Sequence, residues 1–278
     1  MERPEPQLEN HELGENVIIH ALFTRHGEKR FDMEDFNTEL TPEGRVASWM
    51  QGKARSQVDA IKPYSSQTSR TIETAQLIAE ASPTDEKLEQ RIKHSLSMYF
   101  DHEGELVQRC RALKKKIFGD ISSLDEKVRK QKLEEYDIAA TDLFLSYGDK
   151  KPDPDTSSPQ EAAAGMARVL DTYIRMADKL KSGSEVDLIN GTHDWNIAAF
   201  LKEVIIRDVD GHEVRGFDKI EDIGGPIDFN EGFEARIGTD DSKQKSVTLF
   251  FRGQEYNIDQ ARFVELVQIA KDLEKHMS

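Results

Sequence analysis

Apolar side chains crowd together at Val17, Ile18, Ile19, Ala21, Leu22 and Phe23, a short continuous run that predicts a strand buried on both faces. A polar cluster, Thr24, Arg25, His26 and Gly27, follows at its end. The same succession of strand, polar cluster and helix is predicted twice more. A weaker strand around residues 58–61 closes on Pro63, Tyr64, Ser65 and Ser66. It leads into a helix over 68–81 with Ile72, Ala75, Leu77, Ile78 and Ala79 at helical spacing. Val186, Leu188 and Ile189 mark another buried strand over 185–190, followed by Gly191, Thr192, His193 and Asp194. A helix over 195–206 then carries Ile197, Phe200, Leu201, Val204 and Ile205.

The remaining pattern fills in around these units. Thr41, Pro42 and Glu43 have the chemistry of a helix start, and Val46, Trp49 and Met50 are expected to be that helix's apolar face. Residues 87–100 hold a third core segment without a clean period. Residues 105–150 are rich in Leu, Lys, Glu and Arg, contain no proline, and predict a helical insertion. A loop over 148–159 ends at Ser157 or Ser158, either of which can cap a helix with Met166, Val169, Leu170, Tyr173, Ile174 and Leu180 as its buried stripe. Turn signals over 208–251 predict short strands completing a sheet edge, and residues 259–276 an amphipathic helix. The fold class expected is a three-layer αβα arrangement with a mostly parallel central sheet, a helical cap at about 105–150 and a β-rich C-terminal segment. It forms a single domain over 17–278 behind a flexible N-terminal tail, residues 1–16.

Charge narrows the chemistry. Lys and Arg number 38 against 53 Asp and Glu, a net charge of −15, which argues against nucleic acid or an anionic membrane as partner. A phosphate would have to be held by cations converging in a sheltered cleft. Cys110 is the single cysteine, so no intrachain disulfide can form, and it is read as a partly buried thiol. No apolar leader is legible in the acidic first residues, and no run reaches the ~18 apolar residues of a membrane span. The expected location is the cytoplasm. No oligomeric state can be read from the sequence.

In an open α/β sheet, ligands bind outside the carboxyl ends of the strands. Three such ends carry Arg25 with His26, the segment from Ser65 to Arg70, and His193 with Asp194. Two guanidiniums and two imidazoles meeting there would supply both a local cationic field and a nitrogen nucleophile for a phosphoryl group.

The segments TRHGEKR, YSSQTSRTIETA and INGTHDWNIAAFL together resemble the histidine phosphatase superfamily, also called phosphoglycerate mutase-like. The resemblance implies that His26 is the phosphorylated nucleophile and that Arg25, Arg70 and His193 bind the transferring group. For the proton donor, many phosphoglycerate mutase-like members use a glutamate two residues after a leucine. Here Met98 stands two after Leu96. The HD pair resembles the acid phosphatase and phytase branch, which implies Asp194 as the acid, with Glu103 and Glu105, and more remotely Asp101, as alternatives. Asp194 as a plain helix N-cap is the competing reading. Lys29, where that branch has a further arginine, and Asn196 are expected to bind substrate, and Glu28 and Thr74 to line the pocket.

The implied activity is a metal-independent phosphomonoesterase acting through phosphohistidine on a small phosphorylated metabolite, with no cofactor. A phosphomutase, a non-catalytic phospho-ligand binder and an HD-type metal hydrolase are the alternatives. The last would place its HD pair on a helix of an all-helical domain.

Overall fold

The computed structural model describes residues 12–30, 38–119 and 125–277. The strands are β1 (Ile18–Arg25), β2 (Ala60–Ser65), β3 (Arg91–Ile92), β4 (Glu185–Thr192), β5 (Ile205–Val209), β6 (His212–Arg215), β7 (Gly232–Thr239), β8 (Lys245–Phe251) and β9 (Gln254–Ile258). The α-helices are α1 (Pro42–Lys53), α2 (Ser69–Ala81), α3 (Glu105–Phe118), α4 (Glu126–Leu145), α5 (Pro159–Met176), α6 (Asp194–Val204) and α7 (Gln260–Met277). They form an α/β structure around one sheet, in the order β3-β2-β4-β1-β7-β8-β9-β5-β6. The central strands β3, β2, β4 and β1 run parallel, and the C-terminal strands extend the sheet beyond β1 in antiparallel pairing.

Strand alternation divides the core into layers. Leu22, Ile61 and Ile189 point to the face covered by α2, where they meet Ala75, Ile78 and Ala79. Phe23, Phe233 and Phe200 stack on the other face, at centroid separations of 4.9 and 5.2 Å, beneath α5, α6 and α7. Helix α5 starts with a reciprocal capping box, in which Ser158 Oγ accepts from Glu161 N and Glu161 Oε2 accepts from Ser158 N. The stretch over 105–150 holds the helical pair α3 and α4.

Helix α1 corrects the sequence reading. Its buried residues are Gly44, Ser48 and Gly52, whereas Val46, Trp49 and Met50 are 63, 40 and 59 % exposed. The reason is distance: small residues four apart let α1 lie directly against neighbouring backbone. A Cβ on Gly44 would stand 2.3 Å from the Glu28 carbonyl oxygen, and one on Gly52 2.3 Å from that of Ile78. Close backbone approach has replaced apolar side-chain contact as the packing mode.

Other departures are smaller. The third core segment reduces to the two residues of β3 and a single 3-10 turn at His94–Leu96, with Leu96 fully buried. The helix expected to reach 206 stops at Val204, because Ile205 pairs with Ile258 of β9. Of the expected tail, residues 1–11 lie outside the described residues. Residues 13 and 14 are held, with Leu13 bridged to Lys181 and Gly14 N donating to Leu180 O at 2.9 Å. Among the described residues, no helix is long and apolar enough to cross a membrane.

Gly44→Ala should lower stability by about 1–3 kcal/mol, since the added methyl must displace backbone. Val46→Ala on the exposed face should change it by less than about 0.5 kcal/mol. Urea unfolding of the two variants checks the inverted face.

Candidate functional site

The parallel registers bring three loops together. Arg25, the last residue of β1, pairs with Thr192, the last of β4, and Ser65, the last of β2, pairs with Gly191. The next residues, His26, His193 and Ser66, therefore emerge side by side. His26 N donates to Thr192 O at 3.1 Å and Ser66 N to Gly191 O at 2.9 Å. The His26 and His193 rings meet edge to face, with centroids 5.5 Å apart.

His26 is 3 % exposed and its tautomer is set locally. Nδ1 lies 2.8 Å from the Gly27 carbonyl oxygen. A carbonyl only accepts, so Nδ1 carries the proton and Nε2 of the neutral ring keeps its lone pair. Burial, with His193, Arg70 and Arg25 nearby, holds the ring well below the ordinary histidine pKa, and the neutral form is favoured. Gly27 is constrained by its surroundings: a Cβ there would stand 2.8 Å from Gly44 O and 2.9 Å from Ser48 Oγ. Its amide donates to Thr74 Oγ1 at 2.9 Å, and that hydroxyl donates to Arg70 O at 2.7 Å. Thr74 thus ties the loop after β1 to the first turn of α2, which carries Arg70.

Arg25 is 8 % exposed and clamped by the segment before β7. Its Nη1 donates to Ile227 O at 2.5 Å and the guanidinium lies 4.2 Å from the Phe229 ring centroid. The same segment reaches His26, with Asn230 N donating to His26 O at 3.3 Å. Asp194 Oδ2 is 3.4 Å from Arg25 Nη2, and Asp137 Oδ2 is 3.9 Å from Nη1. Arg25 Nε is buried with no hydrogen-bond partner among the described residues. His193 Nε2 is 3.1 Å from Ser66 Oγ, and burial, Arg70, Lys29 and Arg25 hold its pKa well below the ordinary value. Lys29 is pushed down to about 8 by burial and by Arg70, Arg25 and Lys114, with Asp194 acting the other way. The four cations and two imidazoles are thus close enough to perturb one another, in a molecule of net charge −15. Such a site suits a ligand of concentrated negative charge.

The remaining expected residues are placed differently. Asp194 is the first residue of α6 and His193 its N-cap, without a side-chain cap bond. Asn196 is fully buried, its Nδ2 3.5 Å from Leu96 O, an acceptor it shares with Thr192 Oγ1 at 2.8 Å. Glu103 and Glu105, with side chains 83 and 61 % exposed, pair with Arg111 and Arg109 of α3. Asp101 accepts from Glu103 N at 2.9 Å, and Glu28 lies on the exposed side of the loop beside Thr41. Among the described residues, no group of three or more His, Cys, Asp or Glu side chains could hold a metal ion.

Three contributors escaped the sequence reading: Asp137 and Lys114 from the helical pair, and the Ile227–Phe229 clamp on Arg25. Asp137 had a signal. It lies three, four and seven residues before Ala140, Thr141 and Phe144, which are at most 2 % exposed, and so extends a buried stripe as a lone carboxylate. The clamp had none, since its position depends on the turn that precedes β7.

Residues 21–137 match the family model described as Histidine phosphatase superfamily (branch 1). Among solved structures, the chain is similar to a phosphoglycerate mutase from Bacillus anthracis, at 16 % identity and a TM-score of 0.48, over 91 % of this chain and 98 % of that one. It is also similar to a mycobacterial glucosyl-3-phosphoglycerate phosphatase, at 13 % identity and a TM-score of 0.44, over 87 % and 97 %. A phosphoglycerate mutase from Thermus thermophilus gives 18 % and 0.40, over 82 % and 96 %. No curated protein matches the chain.

The depressed histidines give stability a definite pH dependence. Above the unfolded value of about 6.5 the ring is neutral whether the chain is folded or not. As pH falls through that value, the unfolded chain takes up a proton that the folded site refuses, and stability is lost. Between pH 7.5 and 5.5 the wild type should lose about 1 kcal/mol more than a His26→Gln variant, as read by urea unfolding at both pH values.

Proposed function

We propose that this chain, a member of the histidine phosphatase superfamily, is a phosphomonoesterase that works through a phosphohistidine on His26. The observation that carries the reading is the free Nε2 of His26, its proton fixed on Nδ1 by the Gly27 carbonyl, inside a ring of cationic side chains. Nε2 attacks phosphorus as the bond to the ester oxygen breaks. Arg25, Arg70 and His193 hold the equatorial oxygens, where fixed positive charge and positioning supply most of the catalysis of phosphoryl transfer. Lys29 adds to the field, and Asn196 holds α6 against the Leu96 turn rather than meeting the phosphate itself. The leaving oxygen takes its proton from a carboxyl group flanking Arg25, for which Asp194 is the candidate named by the HD pattern. Water then attacks the phosphohistidine and releases inorganic phosphate. The substrate is a small phosphorylated metabolite, and no cofactor enters the reaction.

His26→Ala should abolish both turnover of 4-nitrophenyl phosphate and labelling of the protein by 32P-labelled substrate, leaving less than about one-thousandth of wild-type kcat. Near-normal turnover in that variant would overturn the reading. Stable binding of phosphate esters by the wild type without labelling would identify a binding protein. Transfer to a second hydroxyl in preference to water would identify a mutase.

A further inference from the structure

We propose that Asp137, carried into the site by helix α4, is the group that protonates the leaving oxygen, with Asp194 serving as the carboxylate partner of Arg25. The inference rests on the phosphohistidine reading and deepens it.

Helix α4 decides where Asp137 stands. Asp137 and Phe144 are seven residues apart on α4 and share a face. Phe144 stacks on Trp195, with centroids 4.9 Å apart and planes 11° from parallel. Trp195 follows Asp194 at the start of α6. One aromatic contact therefore fixes the two carboxyl-bearing helices relative to each other. Tyr136, the neighbour of Asp137, packs against Phe118 of α3 at 6.2 Å, which anchors the other side of the helix. Among the described residues, Asp137 is held at the edge of the cation cluster by packing and not by side-chain hydrogen bonds of its own.

The two carboxyls have unequal claims on Arg25. Asp194 is nearer, at 3.4 Å against 3.9 Å. It also occupies the first position of α6, where the helix dipole suits a negative charge. Asp137 has the weaker claim on the guanidinium, whose Nη1 already donates to Ile227 O. The charged groups facing Asp137 are Arg25 from β1, Lys29 from the loop after it, Asp194 from α6 and Asp228 from the segment before β7. Burial raises its pKa to about 6; Asp194 and Asp228 act in the same direction, while Arg25 and Lys29 oppose them. A carboxyl group that titrates close to neutrality can give a proton to an alkoxide and recover one from water.

The step balances without another reactant. As Nε2 of His26 bonds to phosphorus and the P–O ester bond breaks, the bonding pair leaves with the ester oxygen, which takes the Asp137 proton and departs as alcohol. In the second half, water gives its proton to the Asp137 carboxylate as its oxygen bonds to phosphorus and the N–P bond breaks. Phosphate leaves, and both residues return to their starting states.

The test compares leaving groups in the full chain. In Asp137→Asn, kcat/KM for glycerol 2-phosphate, a poor leaving group, should fall by ~10²–10³, and for 4-nitrophenyl phosphate by less than tenfold, with 32P labelling by the aryl ester retained. In the wild type, kcat/KM for glycerol 2-phosphate should decline as pH rises through about 6, the acid being lost, and this limb should vanish in the variant. Equal losses on both esters, an unchanged rate on glycerol 2-phosphate, or the leaving-group selectivity appearing in Asp194→Asn instead would overturn the assignment. Should Asp137→Asn fail to fold, Asp137→Ser reads the same selectivity. The wild-type limb must in any case be steeper for glycerol 2-phosphate than for the aryl ester, and its absence overturns the proposal. Loss of labelling in His26→Ala is scored separately, so the assignment of Asp137 can fail while the phosphohistidine reading stands.

Discussion

Strand β4 is hydrogen-bonded in parallel between β1 and β2, and this single pairing decides where every important side chain lies. Its register sets the ends of three strands within one residue of each other, with Arg25 opposite Thr192 and Ser65 opposite Gly191, so that the loops after them share one small volume. A shift of one residue in β1 against β4 would turn each side chain to the opposite face and separate the two histidines. The register is specified by burial on both faces and by Asn190 inside the strand. Asn190 accepts from Tyr173 Oη at 2.6 Å and donates to Leu22 O and Leu188 O at 3.1 Å each. A buried amide with those partners is satisfied in one alignment only.

The opposite end of the same strands shows how the charges are kept apart. Asp187 of β4 is 1 % exposed and receives Arg55 through Nε and Nη2 at 2.7 and 2.8 Å, while Nη1 of the same guanidinium reaches Glu234 at 2.7 Å. His20 stands between Glu185 and Glu234, at 2.8 and 2.9 Å. Its hydrogen bond with Glu234 raises its pKa despite burial. At the amino ends of β1 and β4, Asp187, Glu185 and Glu234 thus share Arg55 and His20 as partners. At the carboxyl ends, Arg25, Arg70 and Lys29 gather around the two imidazoles, so one end of the sheet is a clasp of ion pairs and the other a concentration of positive charge.

Much of this was legible in the sequence, for a physical reason. Strand β1, the helix after Thr68 and the strand before His193 each announce themselves through local periodicity, and parallel packing of such units brings their ends together. His26, Arg70 and His193 were therefore expected to converge at the strand ends, and the structure brings them together there. What local pattern could not report was packing that depends on the absence of side chains. Helix α1 buries Gly44, Ser48 and Gly52 and leaves Trp49 outside, because backbone proximity to Glu28 and Ile78 outweighs apolar area. Nor could it report long-range delivery. Asp137 arrives on a helix more than one hundred residues beyond His26, and Phe229 on a turn two hundred residues beyond it.

The hydrogen bond from His26 Nδ1 to the carbonyl of its own neighbour has a consequence for how such a centre tolerates change. Many histidines are oriented by a carboxylate, which would add a negative charge directly behind the ring and favour its protonated form. A peptide carbonyl performs the same steering while contributing no net charge, and it is supplied by the backbone at a position where only the smallest residue fits. No side-chain substitution elsewhere in the pocket removes that acceptor. The rim and the helical pair can therefore change while Nε2 of His26 keeps its orientation.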